Sequence, residues 1–308
     1  MNARADEPMP NRGHITGSIP ALVTPMNDNG MLDIPRLRAL VDWHVNEGTS
    51  ALVVMGSTGE SPTLDMDEHC TTIREVVTYA AGRLPVIAGT GANSTSEALD
   101  LTRYAKSVGA SAALSVTPYY NKPTQEGLFQ HYRKLAENVD IPLIVYNVPG
   151  RTGVDLADDT IQRLAEVPGI VGLKDATGDV ARGARLIHTL PETFSVYSGD
   201  DETAAALILL GAKGNISVTA NVVPRLMREL CDAAMNGDVA MVRLISRKIY
   251  LLNQAMFVQS NPIPVKWALA RMGRIEGALR LPLTPLGTKW EPVLSHALAH
   301  AGVELRAG

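Results

Sequence analysis

Cysteine is nearly missing from this chain: Cys70 and Cys231 are the only two in 308 residues. Two thiols so far apart cannot form a disulfide framework, which points to a reducing compartment. Long apolar runs are missing too. The longest, residues 204–212, is far too short to span a bilayer. Residues 1–13 are polar and carry no apolar stretch of the kind a secretion signal needs, so a loose tail and a cytoplasmic location are expected. An excess of one charge is also absent. The net charge of -4 gives no electrostatic reason to expect nucleic acid or an anionic membrane as partner.

What the chain does have is apolar residues, 45% of the total, arranged in a repeating order. Short β-branched or apolar runs at 19–24, 51–55, 85–89, 112–116, 142–146, 170–174, 194–198 and 214–218 read as strands. They do not alternate apolar with polar, which suits strands covered on both faces of a parallel sheet. Segments of helical spacing separate them. Ile34, Leu37, Leu40, Val41 and His44 share one face of the first. Asp65 with Glu68, and Ser94 with Glu97, stand three apart as in a capping box. Further helical segments cover 126–136 and 160–165. Eight strand-then-helix units within 14–237 predict a (β/α)₈ TIM barrel. An open doubly wound sheet usually places a glycine-rich turn after its first strand, where this chain has Thr24-Pro25-Met26. Residues 238–308 read as a C-terminal helical appendage packed on the barrel, with helices at 242–252, 263–272 and 290–301.

In such a barrel, chemistry comes from the C-terminal ends of strands and the loops after them. This ranks the eight lysines. Lys106, Lys134 and Lys248 fall in helical segments, Lys122 well into a loop, and Lys213 before the eighth strand. Lys266 and Lys289 belong to the appendage. Lys174 alone ends a strand, after Ile170-Val171-Gly172-Leu173. Enclosure there disfavours the charged form, and a neutral amine can attack a carbonyl carbon to form an imine. The other reading of Lys174 is an ion pair with its neighbour Asp175.

Tyr146 ends the preceding strand, near enough to Lys174 to move protons, although tyrosine also fills barrel mouths. Arg151, a few residues on, has a planar fork suited to a carboxylate, or is a plain loop arginine. Gly56-Ser57-Thr58-Gly59-Glu60 offers backbone N–H groups and two hydroxyls to a carboxylate, or is a tight turn. Tyr119 and Tyr120 could line a pocket or a subunit contact. Three constellations are weaker. His296 and His300 lack a third metal ligand. Asp200 and Asp201 more simply cap a helix than hold a cation. Gly89-Thr90-Gly91-Ala92-Asn93 lacks the spacing of a dinucleotide fingerprint.

Six segments in order give the chain a family resemblance: Gly56 to Glu60, Thr117-Pro118-Tyr119-Tyr120-Asn121, Tyr146 to Gly153, Gly172 to Gly178, Ser198-Gly199-Asp200-Asp201, and Asn261-Pro262-Ile263-Pro264-Val265-Lys266-Trp267. From about Gly17 to the last helix the chain resembles the dihydrodipicolinate synthase family of the neuraminate lyase superfamily. The resemblance implies a lyase that condenses pyruvate with L-aspartate 4-semialdehyde to 4-hydroxy-tetrahydrodipicolinate, the first committed step of diaminopimelate and lysine biosynthesis. It implies Lys174 as the imine nucleophile, and Tyr146, Ser57 and Tyr120 as a proton relay, with Tyr120 reaching in from a neighbouring subunit. Thr58 would hold the pyruvate carboxylate, Arg151 that of the semialdehyde, and Gly199 and Ile216 would line the pocket with backbone groups. The resemblance implies neither metal nor organic cofactor, and a homotetramer built as a dimer of dimers. Where Ser57 stands the family more often has Thr, and the hydroxyl is kept.

Some family members are inhibited by lysine, at positions matching Ser61, Met66, His69, Asn93, Glu97 and Tyr119. Met66 stands where sensitive enzymes carry His or an aromatic ring, so weak or absent inhibition is expected. Within the same chemistry the rival is an aldolase for neuraminate or a 2-keto-3-deoxy sugar acid, against which Arg151 argues. A non-catalytic paralogue that binds a small acid is the reading from another class. The presence of Lys174, Tyr146 and Arg151 speaks against it.

Overall fold

The computed structural model describes residues 15–305, so the expected tail at 1–13 lies outside the described residues. Eight parallel strands are present: β1 (Gly17–Pro20), β2 (Leu52–Val54), β3 (Val86–Gly89), β4 (Ala112–Val116), β5 (Leu143–Asn147), β6 (Ile170–Asp175), β7 (Ser195–Ser198) and β8 (Gly214–Ser217). Neighbours in sequence pair in space, and β8 pairs back onto β1. The seam between β1 and β2 is joined by a bridge from Ala21 to Val53 and by the Leu22 N–H donating to the Val53 carbonyl at 2.8 Å. This is the expected (β/α)₈ barrel.

All eight strands fall where the apolar runs stand, with ends that move by a few residues. The first differs most, since the regular ladder stops at Pro20 instead of running to Thr24. Beyond it the chain crosses between its neighbours: Ala21 donates to Ser217 on one side and Leu22 to Val53 on the other. A continuous ladder with one partner is thereby lost.

Helices start where local chemistry allows. Asp65 and Glu68 form a reciprocal capping box at the head of Met66–Ala80, which satisfies two of the N–H groups a helix start leaves free. The expected second box does not form. Ser94 precedes Thr95–Ser107 without a side-chain cap, because its hydroxyl bonds that of Ser96 at 2.9 Å instead. On the first helix, Ile34–Asn46, Leu37, Leu40, Val41 and His44 are buried as the spacing predicts, while Ile34 at its start is only partly buried.

Apolar residues pack both inside and outside the strand ring. Ile19, Val53, Ile87, Leu114, Ile144 and Ile216 fill the interior together with Tyr146. Outside, Leu22, Leu40 and Val54 share one cluster with Leu252, Leu269 and Leu298 of the C-terminal helices Val239–Ala255, Ile263–Arg271 and Glu291–His300. Each fully buried leucine contributes about 1.5–3 kcal/mol. The C-terminal region therefore shares the barrel's own core. It also reaches the mouth of the barrel, where the site lies.

Candidate active site

Register builds the centre of the site. Tyr146 on β5 and Lys174 on β6 are paired positions, so both side chains leave the sheet on the same side, at the C-terminal ends of neighbouring strands. Lys174 Nζ stands 4.2 Å from the centroid of the Tyr146 ring. The amine borders a cavity of about 300 Å³ whose lining includes Ser57, Thr58, Tyr146, Arg151, Gly199 and Asn261. Only 6% of Lys174 is exposed. Gly199 makes room for it, because a Cβ at that position would stand 2.8 Å from Lys174 Cε.

The environment sets the protonation of this amine. Burial is the main cause that lowers its pKa, from 10.5 to about 7; Asp201 opposes the shift and Arg151 adds to it. About half of such lysines are neutral near pH 7, whereas an ordinary lysine is almost wholly ammonium. The ion pair with Asp175 does not occur. The Asp175 carboxylate turns away to accept from Thr177 Oγ1 at 2.9 Å and from Asn147 Nδ2 at 3.4 Å. Burial raises the Tyr146 pKa, with Arg151 and a hydrogen bond from Ser57 pulling the other way. The phenol thus stays protonated and able to pass a proton.

Five of the expected site residues, Ser57, Thr58, Tyr146, Arg151 and Gly199, meet Lys174 around this one cavity. Two do not. The Ile216 side chain packs in the barrel interior beside Tyr146 and is not part of the cavity wall, while the expectation for this residue concerns its backbone groups alone. Tyr120 is 88% exposed and sits in the left-handed region, at φ 74°. It does not border the Lys174 cavity of its own chain.

A second cavity, of about 800 Å³, shares Ser57, Val148, Arg151 and Asn261 with the first. Ser61, Met66, His69, Glu97 and Tyr119 line it, so five of the six residues matched to the lysine site come together. Asn93 does not border the cavity. Its carbonyl accepts instead from Asn121 Nδ2 at 3.0 Å, in the loop that carries Tyr119.

The two aspartates after β7 divide their work. Asp200 Oδ1 accepts from Thr203 N and Oγ1 at 2.9 and 2.8 Å, tightening the turn before helix Ala204–Leu209. Asp201 does not cap that helix. It accepts from Asn215 Nδ2 and from the N–H groups of Val218 and Thr219 at 2.7–3.0 Å, bracing the end of β8. His300 Nε2 bonds the Arg247 carbonyl at 2.8 Å and its ring edge meets Tyr250, so it does not form a pair with His296.

Lys266, expected only as part of the C-terminal appendage, is completely buried. Its amine donates to Glu60 Oε1 at 2.5 Å and to the Thr24 carbonyl at 3.0 Å. Glu60 directly follows Ser57-Thr58-Gly59 and holds a left-handed φ of 57°. Arg280 donates its backbone N–H to the same carboxylate and grips Glu68 with two guanidinium bonds. One signal was available: Lys266 stands alone among apolar residues from Ile263 to Ala270, and a charge on an apolar face must be paired.

The model of the Dihydrodipicolinate synthetase family matches residues 14–301. The chain belongs to this family. A 4-hydroxy-tetrahydrodipicolinate synthase of Azoarcus sp. (strain BH72) is 60% identical over 290 residues, covering 94% of this chain and 99% of that protein. The solved structure of the chloride-inhibited dihydrodipicolinate synthase from Acinetobacter baumannii, complexed with pyruvate, superposes with a TM-score of 0.93 at 57% identity, covering 94% of this chain and all of that one. A family structure from Cyanidioschyzon merolae with lysine bound gives a TM-score of 0.90 at 36% identity, over 95% of this chain and 100% of that chain. Membership fits what the site shows: a buried amine at a strand end, beside a phenol and under a loop of hydroxyls. Among the described residues no helix is long and apolar enough to cross a membrane.

Proposed function

We propose that this enzyme condenses pyruvate with L-aspartate 4-semialdehyde to give 4-hydroxy-tetrahydrodipicolinate, the first committed step toward diaminopimelate and lysine. The observation that carries this reading is Lys174: a buried amine with its pKa lowered to about 7, at the wall of a cavity shared with Ser57, Thr58, Tyr146 and Arg151.

The neutral amine attacks the keto carbon of pyruvate, and loss of water leaves a protonated imine. That cation draws electrons from the methyl carbon, so a methyl proton leaves and an enamine forms. The enamine carbon attacks the aldehyde of the second substrate. The substrate's own amino group then displaces Lys174 from the imine carbon, closing the ring and freeing the lysine. Tyr146, with Ser57 as its hydrogen-bonding neighbour, moves the protons of these steps. Thr58 with the N–H groups around Ser57 holds the pyruvate carboxylate, and the Arg151 fork takes the carboxylate of the semialdehyde. The lysine supplies the electron sink, so the reading needs no metal or organic cofactor.

In the same reading the protein works in the cytoplasm as a homotetramer of two tight dimers, and Tyr120 completes the relay of a neighbouring subunit. The exposure of that ring supports this, since an aromatic held outward in a left-handed conformation gains little without a partner surface. The test is borohydride reduction in the presence of pyruvate, followed by peptide mass mapping. A pyruvyl adduct on Lys174 is expected. An adduct on another lysine, or none, would overturn the mechanism.

A further inference from the structure

Asn261 lies outside the barrel strands, just before helix Ile263–Arg271, yet it borders both cavities. It is 6% exposed. Its side-chain Nδ2 donates to Thr58 Oγ1 at 2.9 Å, across 203 positions of sequence. Its main-chain carbonyl accepts from Arg151 Nη2 at 3.2 Å. We infer that Asn261 is a positioning residue that aligns the two carboxylate-binding groups, Thr58 and Arg151, with each other. This rests on the condensation reading given above.

The chemistry of each contact gives it direction. A hydroxyl has one proton and two lone pairs. When Asn261 Nδ2 occupies a lone pair of Thr58, the Thr58 proton points away from the amide, free to meet a carboxylate oxygen. Left without the amide, that hydroxyl could rotate and spend its proton elsewhere. The Arg151 contact works similarly on a longer side chain: one guanidinium N–H anchored to a carbonyl limits the rotamers of a fork that must present its other N–H groups to an anion.

Asn261 is itself held in place. The helix that follows carries Lys266, which grips Glu60 two residues beyond Thr58. The loop of hydroxyls is thus fastened to the C-terminal region at two points, Thr58 and Glu60. The amide adds orientation to the first, where the ion pair supplies strength at the second.

The side chain and main chain of Asn261 serve different partners, and this separates positioning from general support. Asn261→Ala removes the Thr58 contact and keeps the carbonyl that holds Arg151. We would follow borohydride trapping against pyruvate concentration, and the KM of each substrate, in the full-length wild type, Asn261→Ala, Thr58→Val and the double variant. Loss of one buried hydrogen bond is expected to raise the pyruvate concentration for half-maximal trapping about tenfold, with the semialdehyde KM changed by less than about twofold. The double variant should match Thr58→Val alone, because both single changes remove the same contact.

A trapping curve for Asn261→Ala that superimposes on the wild type overturns the inference. So do equal rises in both KM values with additive effects in the double variant, the pattern of a merely structural role. If Asn261→Ala does not fold, Asn261→Asp keeps the side chain's size and replaces the donor by a carboxylate next to the bound one. Its pyruvate requirement should rise further still, and an unchanged value again overturns the assignment. Wild-type protein that is never trapped removes the condensation reading itself, and this inference with it.

Discussion

Tyr146 and Lys174 are register partners on adjacent strands, with the lysine amine 4.2 Å from the centroid of the tyrosine ring. Sheet pairing therefore fixes their separation more firmly than any loop could. Burial on that strand end takes the ammonium out of water, and this desolvation is the main reason its pKa falls to about 7.

The rate of imine formation should follow that value. Below about pH 7 Lys174 is mostly ammonium and cannot attack; above it the neutral amine dominates. Single-turnover trapping with pyruvate should rise about tenfold per pH unit from pH 5 to 6.5 and flatten above 7.5. A rate that keeps rising to pH 10 would show an ordinary lysine. Lys174→Ala should lose the adduct altogether and reduce kcat by roughly four to six orders of magnitude.

Arg151 anchors to Asn261 through one Nη2 bond, which leaves the rest of its fork for substrate. Arg151→Ala should raise the semialdehyde KM by roughly ten- to a hundredfold, the worth of a lost charge-assisted pair. The pyruvate requirement should change far less, since Thr58 and the Ser57 loop remain. Equal rises for both substrates in steady-state kinetics would assign the arginine a different role.

The pair formed by Lys266 and Glu60 has no side-chain exposure on either partner. Lys266→Met strands a buried carboxylate and should cost about 3–5 kcal/mol in denaturant unfolding. A second change, Glu60→Gln, should recover part of that loss by removing the charge that was left alone. The double variant should regain stability without regaining full activity, because the Ser57–Thr58 loop has lost one of its two fastenings. Recovery of both together would separate the ion pair from the site.

Met66 lines the larger cavity with Ser61, His69, Glu97 and Tyr119. Its thioether is a weak acceptor with no N–H or O–H to offer. Titration with lysine is expected to leave activity nearly unchanged at micromolar concentrations. Met66→His should strengthen whatever inhibition exists. A wild-type inhibition curve with a micromolar midpoint would contradict this.

The sequence by itself determined the barrel and its centre. Eight apolar runs separated by helical spacing allow few other folds, and a strand-end lysine is a local feature that register carries directly into the site. The motif from Gly56 to Glu60 was legible for the same reason, since glycines and hydroxyls within five residues act together without help from elsewhere. Tertiary structure alone decided the contacts that cross the chain. Nothing near Asn261 indicates that its amide meets Thr58, and nothing near Lys266 names Glu60, 206 positions away, as its partner. It also separated Asp200 from Asp201, adjacent in sequence, sending one to the helix turn and the other to the end of β8. Periodicity reports which face of an element is buried. Which buried polar group meets which depends on how the C-terminal helices close over the barrel mouth, and that is fixed by packing across the whole chain.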